Sequence, residues 1–130
     1  MRTFTPDEAN ALLDELRTRV ESLVEHKRRL DAAEESRRSL QARIAGNGGD
    51  ITPSDVSDVA ERVEREARAI GAIVEEIQRA GVQIKDLDLG LLDFPWQRGP
   101  EIVLLCWRLG EDEIGYWHGM DEGYAGRKPL

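Results

Sequence analysis

The sequence predicts an α+β protein: a long antiparallel helical hairpin, coiled-coil-like, followed by a small antiparallel β-sheet packed at the hairpin's open end. Three observations predict it. Residues 1–80 are a charged repeat of Arg, Glu, Leu, Val and Ala in which apolar residues recur at helical spacing. Residues 81–130 hold all three tryptophans, both tyrosines, the only cysteine and one of the two histidines. The two helical stretches also differ in length, so the longer one leaves an end for the aromatic block to cover. The organisation expected is therefore a hairpin over 1–80 and a β module over 81–130, packed as one unit.

The first helix spans about residues 6–45. Thr5-Pro6-Asp7-Glu8 is a strong start: Thr5 caps the free amides, Pro6 suits the first helical position and Glu8 closes a capping box. No further Gly or Pro occurs until Gly46. Leu13, Leu16, Val20, Leu23 and Leu30 form a heptad stripe, which Ala33, Leu40 and Ile44 continue on a shifted line. Lys27, Glu34 and Arg37 interrupt it. Gly46-Asn47-Gly48-Gly49-Asp50 reads as a connector, with Gly46 or Asn47 able to take a left-handed cap. It lacks the Lys-Ser/Thr of a phosphate loop.

The second helix spans about residues 53–80. Thr52-Pro53-Ser54-Asp55 repeats the cap-then-proline device. Its stripe is Val56, Val59, Val63, Ile70, Ile73, Ile77 and Ala80, interrupted by Glu66. At the helical rise it is roughly 42 Å long against roughly 60 Å for the first. Measured from the shared turn, the first helix overshoots at its N-terminus. Phe4, Leu12, Leu13 and Leu16 are then bare unless the C-terminal block packs on them, and this is the expected arrangement.

In that block Val82–Ile84, Leu91–Phe94, Ile102–Leu109 and Ile114–His118 read as strands. Residues 85–90 and 95–100 read as a turn and a loop, and Gly119–Leu130 as a glycine-bearing tail. The third strand is apolar except for Arg108, which implies cover on both faces. A turn centred on Glu111-Asp112 sets Leu109 opposite Ile114, Trp107 opposite Tyr116, Cys106 opposite Trp117 and Leu105 opposite His118. Alternation then places Cys106 and His118 on opposite faces.

Composition excludes several functions. Formal net charge is −8, with 13 basic and 17 acidic residues in 1–80 and 5 and 9 in 81–130. Neither half suits phosphate neutralisation, so binding to nucleic acid or an anionic membrane is disfavoured. Lys27-Arg28-Arg29 and Arg37-Arg38 lie among acidic residues and read as a solvated helix face. The apolar run Ile102–Trp107 is too short to span a bilayer. A lone cysteine and an N-terminus without an apolar run fit a cytoplasmic protein.

The candidate chemistry lies in the aromatic block. A Cys106–His118 nucleophile pair is disfavoured by the expected faces, and Cys106 reads as a small core residue. Asp86, Asp88 and Asp93 lack the spacing of a Ca²⁺ loop and read as turn aspartates. With His26 in the first helix, no pair of histidines has metal-ligand spacing, so no metal and no cofactor are expected. Arg98, Arg108 and Arg127 beside Trp96, Trp107 and Trp117 either form an anion or aromatic-ligand pocket or pair with acidic neighbours. Asp93, Arg108, Glu111, Trp117, His118 and Arg127 are the candidate pocket residues.

Two stretches carry a family resemblance. One is Phe4-Thr5-Pro6-Asp7-Glu8-Ala9-Asn10 with Leu12-Leu13. The other is Lys85-Asp86-Leu87 with Gly90-Leu91-Leu92-Asp93-Phe94-Pro95, then Leu105-Cys106-Trp107-Arg108, Gly110-Glu111, Trp117-His118 and Gly123-Tyr124-Ala125-Gly126-Arg127. Together they resemble the small bacterial family of unknown function DUF2203, nearly end to end. Gly99-Pro100-Glu101 departs from the Gly-Arg pair of that loop. The resemblance implies that the Asp93, Cys106–Arg108, Glu111 and Trp117-His118 pattern recurs in relatives, and it carries no activity.

Two functions are expected from this reading. The first is a non-enzymatic interaction or scaffold protein that self-associates through its striped helices, as a dimer. The alternative is a small-ligand or metal-ion binding protein with a polar pocket in the aromatic block.

Overall fold

The computed structural model describes residues 1–46 and 49–130. Helix α1 runs Pro6–Ala45 and helix α2 runs Pro53–Arg79, packed as an antiparallel hairpin. Both start with a complete capping box, Thr5 with Glu8 and Thr52 with Asp55. Gly46 ends α1 with φ −91°, so it is not a left-handed cap. The alternative cap, Asn47, lies outside the described residues. Helix α2 ends in a Schellman motif: Gly81 N–H donates to Gln78 O and Val82 N–H to Ile77 O, with Gly81 at φ 90°. Val82 and Ile77 are both buried, which supplies the apolar contact this motif favours. None of the described helices is long and apolar enough to cross a membrane.

The chain then forms strands β1 (Gln83–Asp86), β2 (Leu91–Arg98), β3 (Glu101–Arg108), β4 (Tyr116–His118) and β5 (Lys128–Pro129). They make one antiparallel sheet in the order β1-β2-β3-β4-β5. Both edges are short, which limits unwanted strand pairing.

The sheet packs at the open end of the hairpin. Phe4, Leu13, Leu16, Val20 and Leu23 share one core with Ile77, Leu92, Phe94, Leu105, Trp107 and Ile114. Phe4 meets Phe94 edge-on, with ring centroids 5.6 Å apart, and its N–H donates to Pro95 O at 2.7 Å. The overhang of α1 is thus sheltered: Leu13 and Leu16 are buried, and Leu12 is half-buried against this core. Gly90, at φ 68°, lets the β1–β2 turn lie on α1. A Cβ there would stand 2.8 Å from Leu109 Cβ and 3.0 Å from Val20 Cγ1.

Several local expectations are corrected. Strand β2 continues through Pro95 to Arg98, where a loop was expected. The ladder with β1 ends opposite Asp93, so the missing N–H of Pro95 faces an edge without a strand partner. The Pro95 carbonyl on that edge accepts from Phe4 instead. Asp86 is a turn aspartate, its Oδ1 accepting from the N–H groups of Asp88 and Leu89, and Asp88 pairs with Lys27. Asp93 is not a turn residue; it is buried in the middle of β2. The tail contributes β5 and a 3₁₀ turn, Tyr124–Gly126.

The main correction concerns the β3–β4 register. Leu104 faces His118, Leu105 faces Trp117 and Cys106 faces Tyr116, a shift of one residue from the tight-turn expectation. The cause is a loop, residues 109–115, bound to α1. Arg17 donates to the carbonyl oxygens of Glu111 and Asp112, and Asn10 Oδ1 accepts the Ile114 N–H. Ile114 sinks into the hairpin core, so it is not a ladder residue. A slip of one residue moves every side chain of β4 to the other face.

Candidate metal centre

The corrected register sorts the sheet into two faces. Leu92, Phe94, Leu105, Trp107 and Trp117 face the helices. Asp93, Cys106 and His118 share the other face on three adjacent strands. All three are buried: Asp93 is 1% exposed, Cys106 0% and His118 2%. One carboxylate oxygen, Cys106 Sγ and one His118 ring nitrogen lie within 4.8 Å of one another. The expectation that Cys106 and His118 lie on opposite faces is therefore overturned.

The His118 ring is fixed at both nitrogens. Nδ1 lies 2.9 Å from Gly119 O, which can only accept, so Nδ1 carries a proton. Nε2 then presents its lone pair to Asp93 Oδ1, 3.1 Å away. A lone pair and a carboxylate cannot face each other at that distance without a cation between them. One proton between Nε2 and Oδ1 satisfies both atoms at this separation. Burial pushes the Asp93 carboxyl above its ordinary value, with the His118 charge pulling it back down.

This geometry disfavours nucleophilic catalysis by Cys106. A thiol–imidazole pair needs one ring nitrogen free to take the thiol proton. Here Gly119 holds one and Asp93 the other. Burial, reinforced by the Asp93 charge, also pushes the Cys106 thiol up to about 12. A His that donates Nδ1–H to a backbone carbonyl and presents Nε2 is instead oriented as a metal ligand.

A second polar group lies beside the first. The Glu111 carboxylate accepts the Arg108 N–H at 2.7 Å and pairs with Arg127 Nη2 at 2.5 Å. The Arg127 guanidinium stacks between the rings of Tyr116 and Tyr124, 3.9 and 4.7 Å from their centroids. Arg108 Nη1 reaches the Tyr124 hydroxyl at 3.3 Å. These contacts fold residues 119–127 back over the face that carries the centre. The Arg127 side chain is only 9% exposed, and its charge acts on the Cys106 thiol.

The sequence-derived pocket residues thus divide in three. Asp93 and His118 meet, with Cys106 as the third member. Arg108, Glu111 and Arg127 meet beside them. Trp117 faces away, toward the helices, with Arg98 at 4.3 Å and Lys128 at 4.7 Å from its ring. Trp107 is stacked by Arg17, not by Arg108, and donates its indole N–H to Glu111 O. Arg17, Asn10 and the Gly119 carbonyl escaped the sequence reading.

No curated protein and no solved structure matches the chain. A family model covering residues 2–130 does, as the quoted motifs anticipated, and the chain belongs to that family, described as an uncharacterized conserved protein, DUF2203.

Proposed function

We propose that the protein binds a metal ion at the Asp93–His118 pair on the outer face of its sheet. One observation carries the reading: His118 commits Nδ1–H to Gly119 O and turns Nε2 toward a buried carboxylate at 3.1 Å. A cation belongs between them, and a divalent ion replaces the shared proton there. The test is native mass spectrometry and elemental analysis of the full chain, after incubation with Zn²⁺, Co²⁺, Mn²⁺, Mg²⁺ and Ca²⁺ separately. The expected result is about one ion per chain for at least one metal, abolished in His118→Gln. Circular dichroism checks that this variant folds. Absence of any bound ion in the wild-type chain overturns the reading.

A second reading, self-association through the helices as a dimer, rests on a different observation. Toward the hairpin turn the buried side chains thin to Ala33, Leu40 and Val59, while Ile44 and Val56 are 52% and 45% exposed. Two hairpins side by side would cover both stripes. Multi-angle light scattering over a dilution series tests it. A dimer dispersed by Ile44→Lys with Val56→Lys supports it, and a monomer at all concentrations ends it.

A further inference from the structure

We propose that Cys106 joins Asp93 and His118 as a thiolate ligand, that the ion is a thiophilic divalent metal of the Zn²⁺ class, and that Arg127 Nε–H hydrogen-bonds this thiolate. The inference rests on the metal-binding reading and narrows it. Two independent features of the structure support it.

The first is the donor set. Sulfur, oxygen and nitrogen donors lie within 4.8 Å of one another on three adjacent strands. Around tetrahedral Zn²⁺, with bonds of about 2.0–2.3 Å, donors stand roughly 3.3–3.8 Å apart. Small side-chain rotations close that gap. Mg²⁺ and Ca²⁺ require several oxygen ligands, and only one carboxylate belongs to this cluster. Charge also closes. The metal-free centre is neutral, with Cys106 as a thiol and one proton shared by Asp93 and His118. Binding M²⁺ breaks the S–H bond, forms the S–M bond and releases that proton and the shared one to solvent. Thiolate, carboxylate, neutral imidazole and M²⁺ again sum to zero, which suits a centre buried in low dielectric.

The second feature is Arg127. Its Nε is buried and has no hydrogen-bond partner among the described residues, although its Nη2 is satisfied by Glu111. Buried donors are seldom left unpaired. The guanidinium lies over the ring of Tyr116, 3.9 Å from its centroid, and Tyr116 is the cross-strand partner of Cys106 on the same face. A thiolate at Cys106 supplies the acceptor that Nε lacks. Donors of this kind around a metal-bound ligand are the usual outer support of such sites. Arg127 is thus a positioning residue, and the 119–127 segment that carries it is part of the centre.

The test uses Co²⁺ and Zn²⁺ on the full chain, with Mg²⁺ and Ca²⁺ as oxygen-preferring comparisons. The wild-type chain with Co²⁺ is expected to show the near-ultraviolet thiolate-to-cobalt charge-transfer band and the visible bands of a tetrahedral ion. Reading the band on the wild type makes the result independent of how any variant folds. Cys106→Ser should abolish the band, and Arg127→Lys, which keeps the charge and removes Nε, should weaken Zn²⁺ binding by about 10–100-fold. Cobalt bound without that band, Zn²⁺ affinity unchanged in Cys106→Ser, or binding of Mg²⁺ or Ca²⁺ alone overturns the thiolate assignment and leaves metal binding standing. Unchanged Zn²⁺ affinity in Arg127→Lys overturns the role of Nε. No ion bound at all overturns both this inference and the reading beneath it.

Discussion

Single residues hold the sheet against the hairpin in ways that composition does not display. Gly90 combines φ 68° with a backbone approach that leaves no room for a methyl group beside Leu109 and Val20. Gly90→Ala is expected to destabilise the fold by roughly 2–4 kcal/mol, from the left-handed strain and the overpacking together. Urea denaturation followed by tryptophan fluorescence measures it. A change below about 0.5 kcal/mol would mean that the turn moves off α1 freely. Lys27 offers the same lesson. It interrupts the apolar stripe because it bridges Asp31 of its own helix and Asp88 of the β1–β2 turn, at 2.9 Å each. Glu66 interrupts the second stripe and meets His26 across the hairpin. What reads as a defect in a periodic pattern is a tertiary contact.

Among elements, the β3–β4 loop decides the chemistry. Sequence alone favours a tight turn at Glu111-Asp112, which would separate Cys106 from His118. The observed loop is longer because Arg17 and Asn10 on α1 take up its carbonyls and the Ile114 amide. The one-residue shift that results places the cysteine, the histidine and Asp93 on one face. Asn10→Ala leaves the Ile114 N–H unpaired in a part-buried setting and is expected to cost about 1–3 kcal/mol. Hydrogen exchange should show faster exchange of the 109–118 amides while α2 is unaffected. Equal protection in both proteins would show that the loop holds its register without α1. Strand β2 teaches a related point. Pro95 marks a loop only if its neighbours on both sides are strands, and here β1 ends before reaching it.

For the whole molecule, the hairpin divides into a packed end and an arm. The packed end shares the sheet's core, whereas the arm buries few side chains. Deleting one heptad from each helix, residues 34–40 and 58–64, preserves the helical phase of both stripes. The shortened chain is expected to fold with the Asp93–Cys106–His118 cluster intact, because these residues touch neither deleted segment. Metal content and near-ultraviolet circular dichroism check this. Loss of the centre would show that the arm and sheet fold as one inseparable unit. If the chain dimerises through the arm, the same deletion yields a monomer by light scattering.

Helix starts, helix lengths and the need for a cover over Phe4, Leu13 and Leu16 were legible in the sequence. Capping, periodicity and rise per residue are local properties, and a length mismatch between paired rods follows from counting. Burial of β3 on both faces was legible too, from its unbroken apolar run. The family could be named from motifs alone. The make-up of the centre was not legible. Asp93 and His118 stood out individually as polar residues in apolar strands, but their junction with Cys106 depends on strand register. Register here is set by hydrogen bonds from α1, roughly a hundred positions away in the chain, and no local pattern encodes such a contact. The side chains were determined by sequence, and their convergence by tertiary structure.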